Sequence, residues 1–152
     1  MTTTTPLLLI TADPSHPLAH LALRYARTYL ANTDTNNNDT NNNNETDSSD
    51  NNENAPAPLN IFFYADAANT ANRLRWQSAD QMNITKGWQK LAEQYQLTLP
   101  VCVSTALSRG ISDSENSTRH QLDSENLAAG FKLVGLSELA MMMQGNCRLL
   151  QF

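Results

Sequence analysis

The chain has 152 residues, 40% of them apolar, and a formal net charge of −5. That length favours one domain, and the low apolar share traces to one segment, Asn32 to Asn54, which consists only of Asn, Asp, Glu, Thr and Ser. The segment holds 6 of the 15 acidic residues, so the remainder carries 10 basic against 9 acidic side chains and offers no general electrostatic case for nucleic-acid binding.

Pro6 to Ala12 reads as a buried strand, a short apolar run ended by Asp13-Pro14. After a turn to Pro17, Leu18, Leu21, Ala22, Tyr25 and Tyr29 follow helical spacing up to about Ala31. The Asn-rich stretch then begins. Without apolar side chains it cannot offset its ordering entropy, so a disordered insertion at about 32–58 is expected within an otherwise compact unit. Leu59 to Ala65 is the second strand, followed by a polar segment to Met82. Trp88, Leu91, Ala92 and Tyr95 mark a second helix.

Leu97 to Val103 is the third strand, and it runs into a short helix expected near Ser104 and stopped by Gly110. Leu97, Leu99, Val101 and Val103 alternate with Thr98, Pro100, Cys102 and Ser104, which puts Cys102 on the less apolar face. A helix N-terminus aimed at a sulfur favours thiolate, the nucleophilic form. A lone cysteine at a strand end is on composition alone more often a small apolar filler, and the residues alone leave both readings open. Ile111 to Ser124 is a polar connection, and Asn126 to Gly130 reads as a helical turn or two. Phe131 to Val134 is a strand. Leu136, Leu139, Ala140 and Met143 mark the last helix, with Ser137 as its cap and Gly145-Asn146 as its stop, and Cys147 to Phe152 is the closing strand.

Five strands alternating with helices argue for an α/β fold with a parallel sheet covered on both faces. Chemistry in such folds gathers at the carboxyl ends of the strands, where Cys102 lies, whereas Cys147 opens its strand at the other edge. Two cysteines without a C-x-x-C do not make a disulfide framework, and Leu7 to Ile10 is too short for a signal or membrane segment, so a reducing cytoplasm is expected.

Dinucleotide, Walker-type and hydrolase-elbow motifs are missing. His16 and His20 flank Pro17 with no third ligand near, which speaks for surface or cap histidines over a metal site, and His120 sits alone in a polar loop. Arg73, Arg75 and Trp76 could contact RNA or a partner subunit, or be an idle loop. Met141, Met142 and Met143 read as core and interface packing.

Four stretches, Ile61–Asn72, Gly87–Gly110, Asn126–Ala140 and Cys147–Phe152, resemble the DsrE-like sulfurtransferases. The resemblance covers nearly everything outside the Asn-rich insertion, which departs from the compact family pattern. It implies a single DsrE-like domain over 1–152, a three-layer α/β/α arrangement with a mainly parallel five-stranded sheet. It further implies a relay in which Cys102 carries sulfane sulfur as a persulfide, leading to 2-thiouridine at the tRNA wobble position. The implied partners are TusB-like and TusC-like subunits in a heterohexamer, a TusA-like sulfur donor and a TusE-like acceptor, with no membrane and no direct contact with tRNA. No cofactor or metal is required by that chemistry. Two alternatives stand beside it: a structural subunit with Cys102 as packing, and a flavodoxin-like small-ligand binding domain, which would show a phosphate-sized pocket at the first strand's carboxyl end.

Overall fold

A computed structural model describes residues 4–38 and 59–152. The elements in chain order are β1 (Thr5–Ile10), α1 (Pro17–Asn38), β2 (Asn60–Phe63), a 3-10 segment (Ala65–Ala71), α2 (Ile84–Tyr95), β3 (Leu99–Cys102), α3 (Val103–Leu107), α4 (Ser114–Arg119), β4 (Phe131–Val134), α5 (Leu136–Met142) and β5 (Cys147–Gln151). The five strands form one sheet in the order β4-β3-β2-β1-β5, and every pairing is parallel. The expected α/β fold with a parallel five-stranded sheet is what the chain adopts.

The sequence explains the centre of the sheet. Strands buried on both faces need unbroken apolar runs, and β1 and β2 supply them: Leu7, Leu8, Ile61, Phe62 and Phe63 are all fully buried. One face packs on α1 and α2. There Phe63 meets Trp88 edge-on at 5.5 Å between ring centroids and Phe131 at 5.4 Å. Such a ring is costly to lose; Phe63→Ala should destabilise the fold by about 3–5 kcal/mol. The helices themselves touch at Gly87, where an added Cβ would lie 2.5 Å from Leu23 Cδ2.

The opposite face is thinly covered. Leu7, Phe62 and Cys102 form a small second core there, and α5 lays Leu139 and Met142 against it. No residue of α5 is itself buried, and Leu136, Met141 and Met143 face solvent. The three layers are therefore unequal: two long helices on one side, one helix of seven residues on the other. No helix among the described residues is long and apolar enough to cross a membrane.

Several expectations need correction. α1 does not stop at Ala31 but continues to Asn38, so the insertion's first seven residues are helical; residues 39–58 lie outside the described residues. The hydroxyls of Thr33 and Thr35 donate back to the carbonyls of Tyr29 and Ala31, which gives polar residues a way to stay in the helix. The buried stripe of α1 is Ala19, Ala22, Leu23, Ala26 and Leu30, while Leu18 and Leu21 are about half exposed. Small alanines let the helix approach the sheet closely, and the larger leucines are left outside.

Asn126 to Gly130 is not helical, because distant partners take its backbone. The N–H groups of Asn126 and Leu127 donate to the Ser112 carbonyl, and that of Ala128 donates to the Ala71 carbonyl. Gly135, not Ser137, caps α5. The 3-10 segment and α4 occupy stretches that read as plain polar connections.

Candidate functional site

β3 is shorter than its pattern suggests. It ends at Cys102, level with Val134 where β4 also ends, and Val103 already belongs to α3. Cys102 is thus both the last strand residue and the N-cap of α3, at the carboxyl edge of the sheet. Its side chain does not share a polar face. It is 1% exposed and packs with Leu7 and Phe62.

The polar groups nearest in sequence hold the backbone of this corner. Thr105 Oγ1 donates to the Cys102 carbonyl at 3.1 Å. Arg109 folds back over α3: Nη1 donates to the Thr105 carbonyl at 3.1 Å, while Nε and Nη2 reach Asp66 Oδ1 at 3.2 and 2.8 Å. Ser104 is exposed. The arginine therefore ties α3 to the 3-10 segment after β2, and Ala106 fits fully buried among that segment's alanines. Ala65, which joins β2 to Asp66, has φ +54, a left-handed conformation that a non-glycine residue adopts at some cost. Residues of Asp66 type at this edge were not singled out from the sequence; the usable signal is a carboxylate just past the end of a buried strand.

A second polar knot stands at the end of β1. The Asp13 carboxylate accepts from the Ser15 N–H at 2.9 Å, from the Ser15 hydroxyl, and from Asn69 Nδ2 at 2.9 Å. Burial pushes its pKa up, but the Ser15 and Asn69 hydrogen bonds and the positive charge of Arg75 outweigh that and hold it below the usual carboxylate value.

The remaining candidates are scattered. Cys147 begins β5 at the opposite edge. Thr5 pairs with Cys147 while Ile10, Phe63 and Val101 lie level, so six positions along the strands, about 20 Å, and three strand spacings, about 14 Å, separate the cysteines. Both thiols are free. His120 ends α4 on the surface, and His16 Nδ1 accepts the Leu18 N–H as a cap of α1, so neither joins Cys102. Among the described residues no group of three His, Cys, Asp or Glu could hold a metal. Arg73 pairs with Glu125 at 3.5 Å, and Trp76 is 83% exposed. Of the three methionines, Met142 packs inward and Met141 and Met143 face out. The depression beside the start of α1, lined by Ser15, Leu18, His20 and Arg24, measures about 540 Å³ and is far larger than a phosphate.

What the corner can do chemically is present a single thiol at the end of a strand, with a hydrogen-bonded clamp fixing the turn that follows.

The family model described as the DsrE/DsrF-like family matches residues 7–152. A protein called sulfurtransferase TusD from Pectobacterium atrosepticum is 41% identical over 92 residues, covering 60% of this chain and 71% of its own length. A sulfurtransferase TusD homolog from Vibrio vulnificus is 37% identical over 94 residues, covering 62% of this chain and 72% of its own. Among solved structures, the ychN protein from E. coli superposes with a TM-score of 0.61 over 99% of this chain and 100% of its own, at 15% identity, a likeness of fold alone.

Proposed function

The chain belongs to the DsrE/DsrF-like family, and from that premise we propose that it is a sulfurtransferase subunit whose Cys102 carries sulfane sulfur as a persulfide. The curated relatives' shared name, sulfurtransferase TusD, is the observation that carries the activity. What supports Cys102 over Cys147 is its place at the carboxyl edge of a parallel sheet, where ligands and chemistry collect.

The step balances without a cofactor. The Cys102 thiolate attacks the terminal sulfur of a donor persulfide. A new S–S bond forms to Cys102, the donor's S–S bond breaks, and the donor cysteine leaves as thiolate. Release repeats the exchange, with the acceptor's thiolate attacking the outer sulfur now held on Cys102. The finer reading places this subunit beside TusB-like and TusC-like chains in a cytoplasmic heterohexamer. A TusA-like donor loads it, a TusE-like acceptor unloads it, and the sulfur ends in 2-thiouridine at the tRNA wobble position. The domain is single in this reading, with the Asn-rich insertion outside its working part.

Burial of Cys102 to 1% exposure favours one rival, a structural subunit in which this thiol is packing. Mass spectrometry separates the two. After incubation with a persulfide donor, a gain of about 32 Da on the peptide holding Cys102 is expected, and none in Cys102→Ser. An unlabelled Cys102 in a chain assembled with its partners would favour the structural reading.

A further inference from the structure

A small polar pocket lies apart from Cys102, between the end of the 3-10 segment and the first turn of α2. It measures about 100 Å³, and its lining includes Arg73, Arg75, Lys86, Asn72, Asn83 and Thr85. Three of the chain's 10 basic residues thus meet around a space of a few water molecules, and no carboxylate lines it among the described residues. In a body with nearly balanced charge, that concentration calls for a counter-charge.

The local partners supply little of it. Arg73 Nη2 donates to the Glu125 carbonyl and lies 3.5 Å from its carboxylate, an ion pair with both side chains nearly half exposed. Arg75 donates to the neutral Gln77 at 3.0 Å and acts on Asp13 only through its charge. Lys86 forms no ion pair among the described residues. Two guanidinium forks and an ammonium are the donor set suited to a tetrahedral oxyanion, and Asn72 and Asn83 add neutral polar edges.

We propose that this pocket binds an oxyanion of phosphate or sulfate size. Its volume admits the anionic group and leaves any attached sugar or base outside. Trp76, next in sequence to Arg75 and 83% exposed, would then offer a stacking surface to such a base. The source is either the free anion or a phosphodiester, and the two share the chemistry of the site. The pocket does not involve Cys102, so its test needs no sulfur transfer.

The full chain is titrated with inorganic phosphate, with sulfate, and with a short oligouridylate, followed by amide NMR. Saturable shifts confined to residues 72–89 and 126–129 are expected. Arg75→Ala combined with Lys86→Ala should weaken binding at least about tenfold, Lys86→Glu alone should weaken it clearly, and Arg24→Ala, at a remote cation, should leave it unchanged. Tighter binding of the oligouridylate, with a steep fall in salt, identifies a phosphodiester as the source; equal or weaker binding identifies the free anion. Shifts spread over every basic residue would overturn the proposal. So would unchanged binding in the double variant or in a well-folded Lys86→Glu protein. A polyglutamate peptide saturating the pocket where phosphate and sulfate do not would assign it to an acidic protein partner instead.

Discussion

At the scale of single residues, exposure sets the order of reactivity of the two thiols. Cys102 is 1% exposed and Cys147 is half-buried, so a small alkylating reagent should modify Cys147 first in the free chain, read by peptide mass. Sulfur loading should show the reverse dependence: Cys147→Ser keeps it, and Cys102→Ser folds yet loses it. Loading that survives in Cys102→Ser would remove this residue from the reaction. Asp13 gives a pH signature. Its folded pKa lies below the unfolded value of about 4, so its contribution is present above that value and is lost as pH falls through the lowered folded pKa. Urea unfolding from pH 6 to pH 3 should show the gap between wild type and Asp13→Asn closing towards acid. Cys102 itself was legible in the sequence as the strand-end thiol, but its surroundings were not. Alternation does set Cys102 opposite Leu99 and Val101, but it cannot show that Leu7 and Phe62 from other strands, with Leu139 and Met142 of α5, make that face a second core.

At the scale of elements, the clamp over α3 and the cover over Cys102 can be loosened separately. Arg109→Ala removes the Asp66 pair and the bond to the Thr105 carbonyl. The pair is partly solvated, so the cost in stability should be about 1 kcal/mol or less, read by denaturant unfolding. On the other face, Leu139→Ala thins the helix that covers the second core, and alkylation of Cys102, fully buried in that core, should accelerate more than that of the half-buried Cys147 packed against it. Unchanged Cys102 kinetics would mean that access to the thiol opens elsewhere. The elements legible in the sequence were those whose apolar residues stand in unbroken runs, such as Leu7–Ile10, or on one clear stripe, as in α2. α1 was placed but its face was misread, because alanines carry a weaker apolar signal than Leu18 and Leu21. Asn126–Gly130 could not be read locally at all, since Ser112 and Ala71 decide its conformation.

At the scale of the whole molecule, the unequal layers bear on assembly. The insertion has no apolar side chain to give a core, and loop length changes closure entropy only slowly. Replacing residues 39–54 by a short Gly/Ser linker should therefore leave Tm nearly unchanged; a cooperative loss of fold would make that stretch structural. Purification of the tagged chain at native expression should recover TusB-like and TusC-like proteins, and recovery of a lone monomer in full yield would sink the heterohexamer. The strand order has a consequence for synthesis. β1 pairs with β5 over five registered positions, Thr5 with Cys147 through Leu9 with Gln151, so the first strand made waits for the last. Until residues 147–151 are available, the edge of β1 from Thr5 to Leu9 stays bare, a template for pairing with another nascent chain. A released chain truncated after Asn146 should accordingly bind hydrophobic-segment chaperones, and one that carries residues 147–152 should not.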